Sequence, residues 1–291
     1  MSNSKDAAIA AVIKHNESCS EYWNNEEYTK SIVAFIDVMG VSDLLLTDSE
    51  DFNAHKAIYQ ALSRISGKYS LDEYRKYFTE LYGEFGVKST VMSDSIVLSV
   101  NVNVPNALAK MSMFMSEYLS ELLLLNAPFF ARGAITVGNI YHEDNIVFGP
   151  ALAKAVDMEK NNAVNFRCIV DKNEFNELYD TENDDFKNIV EAYFYPEGDY
   201  YCFDYFYRFL GFADNKVISG DNNATLFLNA LGKIQRKVRD EIRNNKNKHI
   251  KSKYKYMEKY YNRTLTRVLD NSETDEYIWL KNAREEWRAK R

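Results

Sequence analysis

Apolar positions along the chain recur with two different periods, and the switches between them mark out the elements. Ile32-Val33-Ala34-Phe35-Ile36 is a short unbroken apolar run of β-prone residues, the pattern of a strand covered on both faces, and it closes on Asp37. From Ser42 to about Tyr82 the spacing turns helical, with Leu44, Leu45, Ile58, Leu62, Ile65 and Tyr69 at the apolar positions, enough for two helices. Phe85 to Met92 and Ser95 to Val100 are β-prone again, separated only by Ser93-Asp94, as a tight hairpin requires. Asn106 to Leu125 carries Leu108, Met111, Met115, Leu119 and Leu122 at steps of three and four, which predicts an amphipathic helix with Asn106, after Pro105, as its N-cap. Ala134 to Val137, Phe166 to Val170 and Tyr200 to Phe206 read as further strands. The predicted class is therefore α/β (α+β), with residues 1–30 forming an N-terminal helix and leading loop, 31–211 the mixed domain, and 212–291 a helical C-terminal extension.

Composition agrees and narrows the partners. Of 291 residues 46% are hydrophobic, so a sizeable core can be buried. Only 11 Gly and 4 Pro, and no internal repeat, point to regular elements joined by short connections. With 36 Lys and Arg against 43 Asp and Glu the net charge is −7, which argues against a surface that coats nucleic acid or anionic membrane as a whole. The charge is unevenly placed. Residues 233–267 hold 13 Lys and Arg and three acidic residues, a segment of about +10 on a remainder of about −17. The favoured reading is a helical layer whose charges face the acidic body or a second subunit, because Tyr254, Tyr256, Tyr260 and Tyr261 look like packing residues; the alternative is a phosphate- or nucleic-acid-binding arm.

Cys19, Cys168 and Cys202 are odd in number and far apart, so neither a disulfide framework nor a metal knuckle is expected, and Cys168 reads as a core thiol. His142 has no ligand-spaced companions for zinc, and Glu143-Asp144 reads as an exposed turn. No apolar run approaches the roughly 18 to 20 residues of a membrane span, and the N-terminus lacks a leader's apolar core, so a cytoplasmic protein without membrane contact is expected.

The order strand, two helices, hairpin, helix, strand is a palm-like βααββαβ arrangement. It brings Asp37, at the end of the first strand, and Asp94, in the hairpin turn, to one edge of a sheet. In phosphoryl and nucleotidyl transfer such a carboxylate pair holds two divalent cations, and no protein nucleophile is needed. The amides of Met39, Gly40, Val41 and Ser42, opening the next helix, are candidates to cradle phosphates.

Four segments carry a family resemblance. Phe35-Ile36-Asp37-Val38-Met39-Gly40-Val41-Ser42 resembles the first-strand metal motif of class III nucleotide cyclases, and Met92-Ser93-Asp94-Ser95-Ile96 their second metal-binding hairpin. Arg132-Gly133-Ala134-Ile135-Thr136-Val137-Gly138 resembles the next core strand, and Val147 to Glu159, beginning VFGPALAKAV, the following loop and helix. Together they cover about residues 31–206. The Phe148-Gly149-Pro150-Ala151-Leu152 helix start and the pattern from Lys253-Tyr254-Lys255-Tyr256-Met257 to Tyr261-Asn262 are closest to the pyrimidine cyclases of bacterial Pycsar anti-phage systems.

The resemblance implies that 31–211 is a nucleotide cyclase domain binding two Mn²⁺ or Mg²⁺ ions through Asp37, Asp94 and the backbone carbonyl of Val38. It also implies a homodimer with active sites between subunits, a nucleoside triphosphate substrate, and a cyclic nucleotide that activates a separate effector. Adenylyl cyclases read adenine with a Lys and an Asp at positions that here hold Thr90 and Ile146; neither these nor the Glu/Cys guanine pair match, which leaves UTP, or CTP, as the expected substrate. The transition-state Asn and Arg of the wider family fall at Ala153 and Asp157, so Arg132, Lys154 and Lys160 become the candidates for that charge, although Arg132 could instead pair with Glu143 or Asp144. The same departures allow a cyclase fold that only binds nucleotide, as a sensor or scaffold.

Overall fold

The computed structural model describes residues 28–41, 56, 59, 86–125, 127–143, 146–207, 209–210 and 224–270. The two helices expected between Ser42 and Tyr82, the N-terminal helix, Ser42 itself and Asp144 lie outside the described residues. The elements are β1 (Thr29–Met39), β2 (Lys88–Met92), β3 (Ser95–Asn101), α1 (Ala107–Leu124), β4 (Phe130–Glu143), β5 (Ile146–Phe148), α2 (Pro150–Asn161), β6 (Cys168–Asp171), α3 (Lys172–Asp180), α4 (Asp184–Tyr193), β7 (Phe194–Glu197), β8 (Tyr200–Phe203), α5 (Ala224–Asn244) and α6 (Lys248–Asp270).

The fold is mixed α/β, as the pattern predicts. Among the described residues an eight-stranded sheet runs β2-β3-β1-β4-β6-β8-β7, with β5 paired to the far end of β4. β1 is central: it pairs antiparallel with β3 on one side and, over its whole length, with β4 on the other. Its apolar run explains that position, since Ile32, Val33 and Ala34 are wholly buried and a strand buried on both faces needs no polar alternation. Ile32, Ala34, Ile36 and Val38 belong to the main core with α1. Val33 and Phe35 point the other way and pack with Val97, Ile140, Ala151 and Leu152 beneath α2. The strand period of two therefore carries Asp37 onto the α2 face.

Several expectations are revised in extent. β1 spans Thr29–Met39 and β4 spans Phe130–Glu143, both longer than their apolar cores, because ladder pairing continues through polar positions once register is set. β8 stops at Phe203, and residues 205–207 are helical with Tyr205 and Phe206 still buried. Asn106 does sit at the start of α1, but in the left-handed region (φ 57) and without a side-chain capping bond. Its Oδ1 accepts from Asn183 N at 3.0 Å, and the orphan amide of Leu108 is met by buried Glu182 Oε1 at 2.9 Å.

α5 and α6 form a helical pair whose apolar positions, Leu231, Ile234, Val238, Tyr254, Met257, Tyr260, Tyr261 and Leu265, enter the same core as the sheet. The aromatics of α6 are thus packing residues. Asp204, 1% exposed, accepts from Thr264 Oγ1 at 2.8 and 2.9 Å and lies 3.5 Å from Arg267 Nη2. Arg263 lies over the Tyr195 ring at 3.4 Å, and Lys237 Nζ donates to Pro128 O at 2.6 Å. These three cations of the basic segment face the body.

Candidate active site

The site grows from the register of three strands. Asp37 is opposite Ser95 on β3 and opposite Arg132 on β4, so all three side chains share the α2 face. Ser95 Oγ donates to Asp37 Oδ1 at 3.3 Å, and Arg132 Nε donates to Asp37 Oδ2 at 3.3 Å. The β2–β3 turn is drawn onto the end of β1 by the Val38 amide, which donates to Asp94 O at 3.0 Å. Ser93 takes a left-handed conformation there (φ 59), which is how a two-residue connection turns the chain. The turn that carries Asp94 therefore stands at the same end of β1 as Asp37.

One position next to this pair admits only glycine. An added Cβ at Gly133 would stand 2.4 Å from Phe35 O and 3.2 Å from Ile36 Cα, so β4 approaches β1 this closely because residue 133 has no side chain. Beyond Asp37 the chain leaves the strand at Met39 and turns at Gly40 (φ 91), and Val41 is already helical.

Electrostatics at the site are set by burial. Desolvation pushes the Asp37 carboxyl above the usual aspartate range, the Arg132 charge pulls it back, and Asp94 pushes it up again. Glu159, on the buried stripe of α2 and 5% exposed, behaves alike: burial raises it, Arg132 lowers it, Asp37 raises it, and Lys253 of α6 lowers it. Arg132 is in ion-pair contact with both carboxylates, Asp37 and Glu159. It does not pair with Glu143, which takes Lys88 instead. The sequence left Glu159 aside because a Glu on a surface helix usually faces water. Its spacing was a signal nonetheless, for Ala151, Leu152, Ala155, Met158 and Glu159 form one helical stripe.

Of the other candidate cations, Lys154 pairs with Glu174 at 2.7 Å and Lys160 is exposed; neither is brought to Asp37 among the described residues. Ala153 and Asp157 are exposed on α2, and Asp157 accepts from Asn161. Of the two positions expected to bear on base choice, Ile146 is 59% exposed while Thr90 is buried, with its hydroxyl 2.9 Å from His142 Nε2. His142 Nδ1 is 2.7 Å from Ser99 Oγ, so one buried imidazole joins hydroxyls of β2 and β3. Sequence reasoning weighed His142 only as a zinc ligand and missed this role beside Thr90. Cys168 and Cys202 are buried thiols, their pKa values pushed up by burial, to about 11 for Cys202. Among the described residues no group of three or more His, Cys, Asp or Glu side chains could by itself enclose a metal ion, and no helix is long and apolar enough to cross a membrane.

No family model and no curated protein matches the chain. Solved structures to which it is similar include the catalytic core of a rhodopsin-guanylyl cyclase with converted specificity in complex with ATPalphaS, at 13% identity over 61% of this chain and 97% of that one, TM-score 0.37. A bacterial light-regulated adenylyl cyclase is similar at 12% identity, covering 61% of this chain and 90% of that one, TM-score 0.32. A class III adenylyl cyclase-like ATP-binding protein from Pseudomonas aeruginosa is similar at 11% identity, covering 55% and 37%, TM-score 0.34.

Proposed function

We propose that the protein is a metal-dependent nucleotide cyclase that converts UTP, with CTP as the alternative substrate, into the 3′,5′-cyclic monophosphate and pyrophosphate. The observation that carries the reading is the meeting of Asp37, the Asp94 turn and Arg132 at one end of β1, on a single face of the sheet. Two carboxylates and a backbone carbonyl, that of Val38, are hard oxygen donors of the kind Mg²⁺ and Mn²⁺ take, and burial pushes the Asp37 carboxyl up, a cost that a bound cation would offset. The residues therefore fit the ions. When bound, two such cations would lower the pKa of the substrate 3′-hydroxyl and offset charge on the leaving pyrophosphate.

The chain's own residues supply the rest. Asp37 and Asp94 would hold the cations, and the amides of Met39 to Ser42, which the sequence pattern expects to open a helix, would face the phosphates. Arg132, 23% exposed, is in ion-pair contact with Asp37; it would bind the triphosphate and offset negative charge developing in the transition state. Pyrimidine choice is supported by Thr90 and Ile146, which offer neither the Lys/Asp pair nor the Glu/Cys pair that reads a purine. A homodimer completing each site, a cyclic-nucleotide messenger in anti-phage defence and a separate effector follow from the same resemblance.

The test is to incubate the purified protein with each of the four nucleoside triphosphates and Mn²⁺ and to resolve the products by mass spectrometry. Cyclic UMP is expected, with loss of activity in Asp37→Ala and Asp94→Ala. Cyclic CMP alone would transfer the assignment to CTP. A cyclic purine product alone would overturn the base assignment. No cyclic product from any triphosphate, or full activity in either variant, would refute the cyclase reading; tight nucleotide binding without turnover would establish a sensor in its place.

A further inference from the structure

Arg132 sits between two carboxylates. Its Nε–H is donated to Asp37 Oδ2 at 3.3 Å, a long hydrogen bond, and the same nitrogen is in ion-pair contact with buried Glu159 Oε1. One Nε–H cannot point squarely at both acceptors, so the two carboxylates compete for it. Among the described residues the two Nη amino groups of Arg132 make no hydrogen bond, and the side chain is 23% exposed. The guanidinium thus has one anchored edge and one open edge.

We propose that Glu159 is a positioning residue that takes over the Arg132 Nε–H when the Asp37 oxygens are engaged by a cation, holding the guanidinium in place with its Nη groups turned to the substrate phosphates. This rests on the cyclase reading of Asp37. The exchange needs no new burial, because both carboxylates already touch Nε. It also answers how the site works with Ala153 and Asp157 on α2: the helix contributes the anchor of an arginine borne on β4. The Lys253 charge on α6 also acts on Glu159, in the same direction as Arg132.

The test combines binding and turnover on the full chain. Mn²⁺ affinity is measured by calorimetry without nucleotide, and affinity for a UTP analogue carrying a non-cleavable α,β linkage is measured separately. Glu159→Gln keeps the shape of the side chain, and thermal melting checks that it folds; Glu159→Asp, which keeps the charge but falls short of Arg132, is a second variant. In both, Arg132 stays on Asp37, so Mn²⁺ affinity should fall about tenfold, the size of effect seen when the partners of metal ligands are removed. Adding Arg132→Met to Glu159→Gln should restore Mn²⁺ affinity but leave analogue binding and turnover low. Mn²⁺ affinity within about twofold of wild type in folded Glu159→Gln would overturn the proposal, as would failure of Arg132→Met to restore it. Asp37→Asn separates the two readings: if it leaves Mn²⁺ affinity unchanged, the metal role of Asp37 itself is wrong; if it abolishes Mn²⁺ binding while the Glu159 variants bind normally, only the positioning role falls.

Discussion

Gly133→Ala isolates the contact on which the site's geometry depends. The added Cβ would meet Phe35 O at 2.4 Å, Ile36 Cα at 3.2 Å and Cys168 Sγ at 3.4 Å. Relaxed contacts of this kind lie near 3.5 Å or beyond, so β1 and β4 must part by about 1 Å at this point. The obstacle is backbone in a ladder that pairs Thr29–Met39 with Phe130–Ile140, and no rotamer change can relieve it. Overpacking usually costs about 1–3 kcal/mol, and with strained ladder hydrogen bonds on either side we expect about 3 kcal/mol. At about 2–4 °C per kcal/mol, the melting temperature should drop by roughly 6–12 °C. The direction is informative, because at an unobstructed strand position the same change gains about 0.5–1 kcal/mol by restricting the unfolded chain. Thermal unfolding followed by circular dichroism measures it. Melting within about 2 °C of wild type, or above it, would show that the close approach of β1 and β4 is not what fixes Asp37 against Arg132.

Two further perturbations test how the C-terminal helices are held. Asp204→Ala removes a buried carboxylate that accepts from Thr264 and pairs with Arg267, and should cost about 3–5 kcal/mol in urea denaturation; a loss below about 1 kcal/mol would mean that this pair does not anchor α6. Lys237 is buried over the rings of Phe129 and Phe130, and desolvation lowers its pKa from 10.5 to about 8, partly opposed by Glu241. Between those values the unfolded chain holds a proton that the folded chain has released, so this group makes stability rise with pH. The stability of wild type relative to Lys237→Met should therefore shift toward wild type between about pH 7.5 and pH 10, and a flat or opposite trend in the denaturation midpoints would refute it.

What the sequence made legible depended on periodicity. The buried run from Ile32 to Ile36 identified the central strand, and the two β-prone runs around Ser93-Asp94 placed the second aspartate, because local patterns decide those elements. Strand length was less legible: nothing local distinguishes Phe130 to Ala131 or Asn139 to Glu143 from loop, and only the ladder with β1 and β5 makes them strand. The partner of Arg132 was misread for a related reason. Glu143 is nearer in sequence and lies on the same strand, but Arg132 is opposite Asp37 across the ladder and beneath α2, so its partners come from 95 residues upstream and from a helix. The His142 bridge between Thr90 and Ser99 needed three strands in register and could not be read from any one of them.

The separation of charge along the chain has a structural consequence at the site. The basic segment is not held apart from the acidic body: Arg263 and Arg167 share Glu197, Arg267 takes Asp204, and the Lys253 charge acts on Glu159. Each of these body carboxylates is at least partly buried, so each would cost more without its cation. Glu159 differs from the others because its second partner is Arg132, which also holds Asp37. A run of alternating charge therefore leads from Glu159 through Arg132 to the aspartate at the end of β1, with the Lys253 charge of α6 acting on Glu159. Under the proposed function, a triphosphate and its cations add charge of both signs at the far end of that run. The least disruptive response is a shift of Arg132 from Asp37 toward Glu159, because both carboxylates already lie against its Nε.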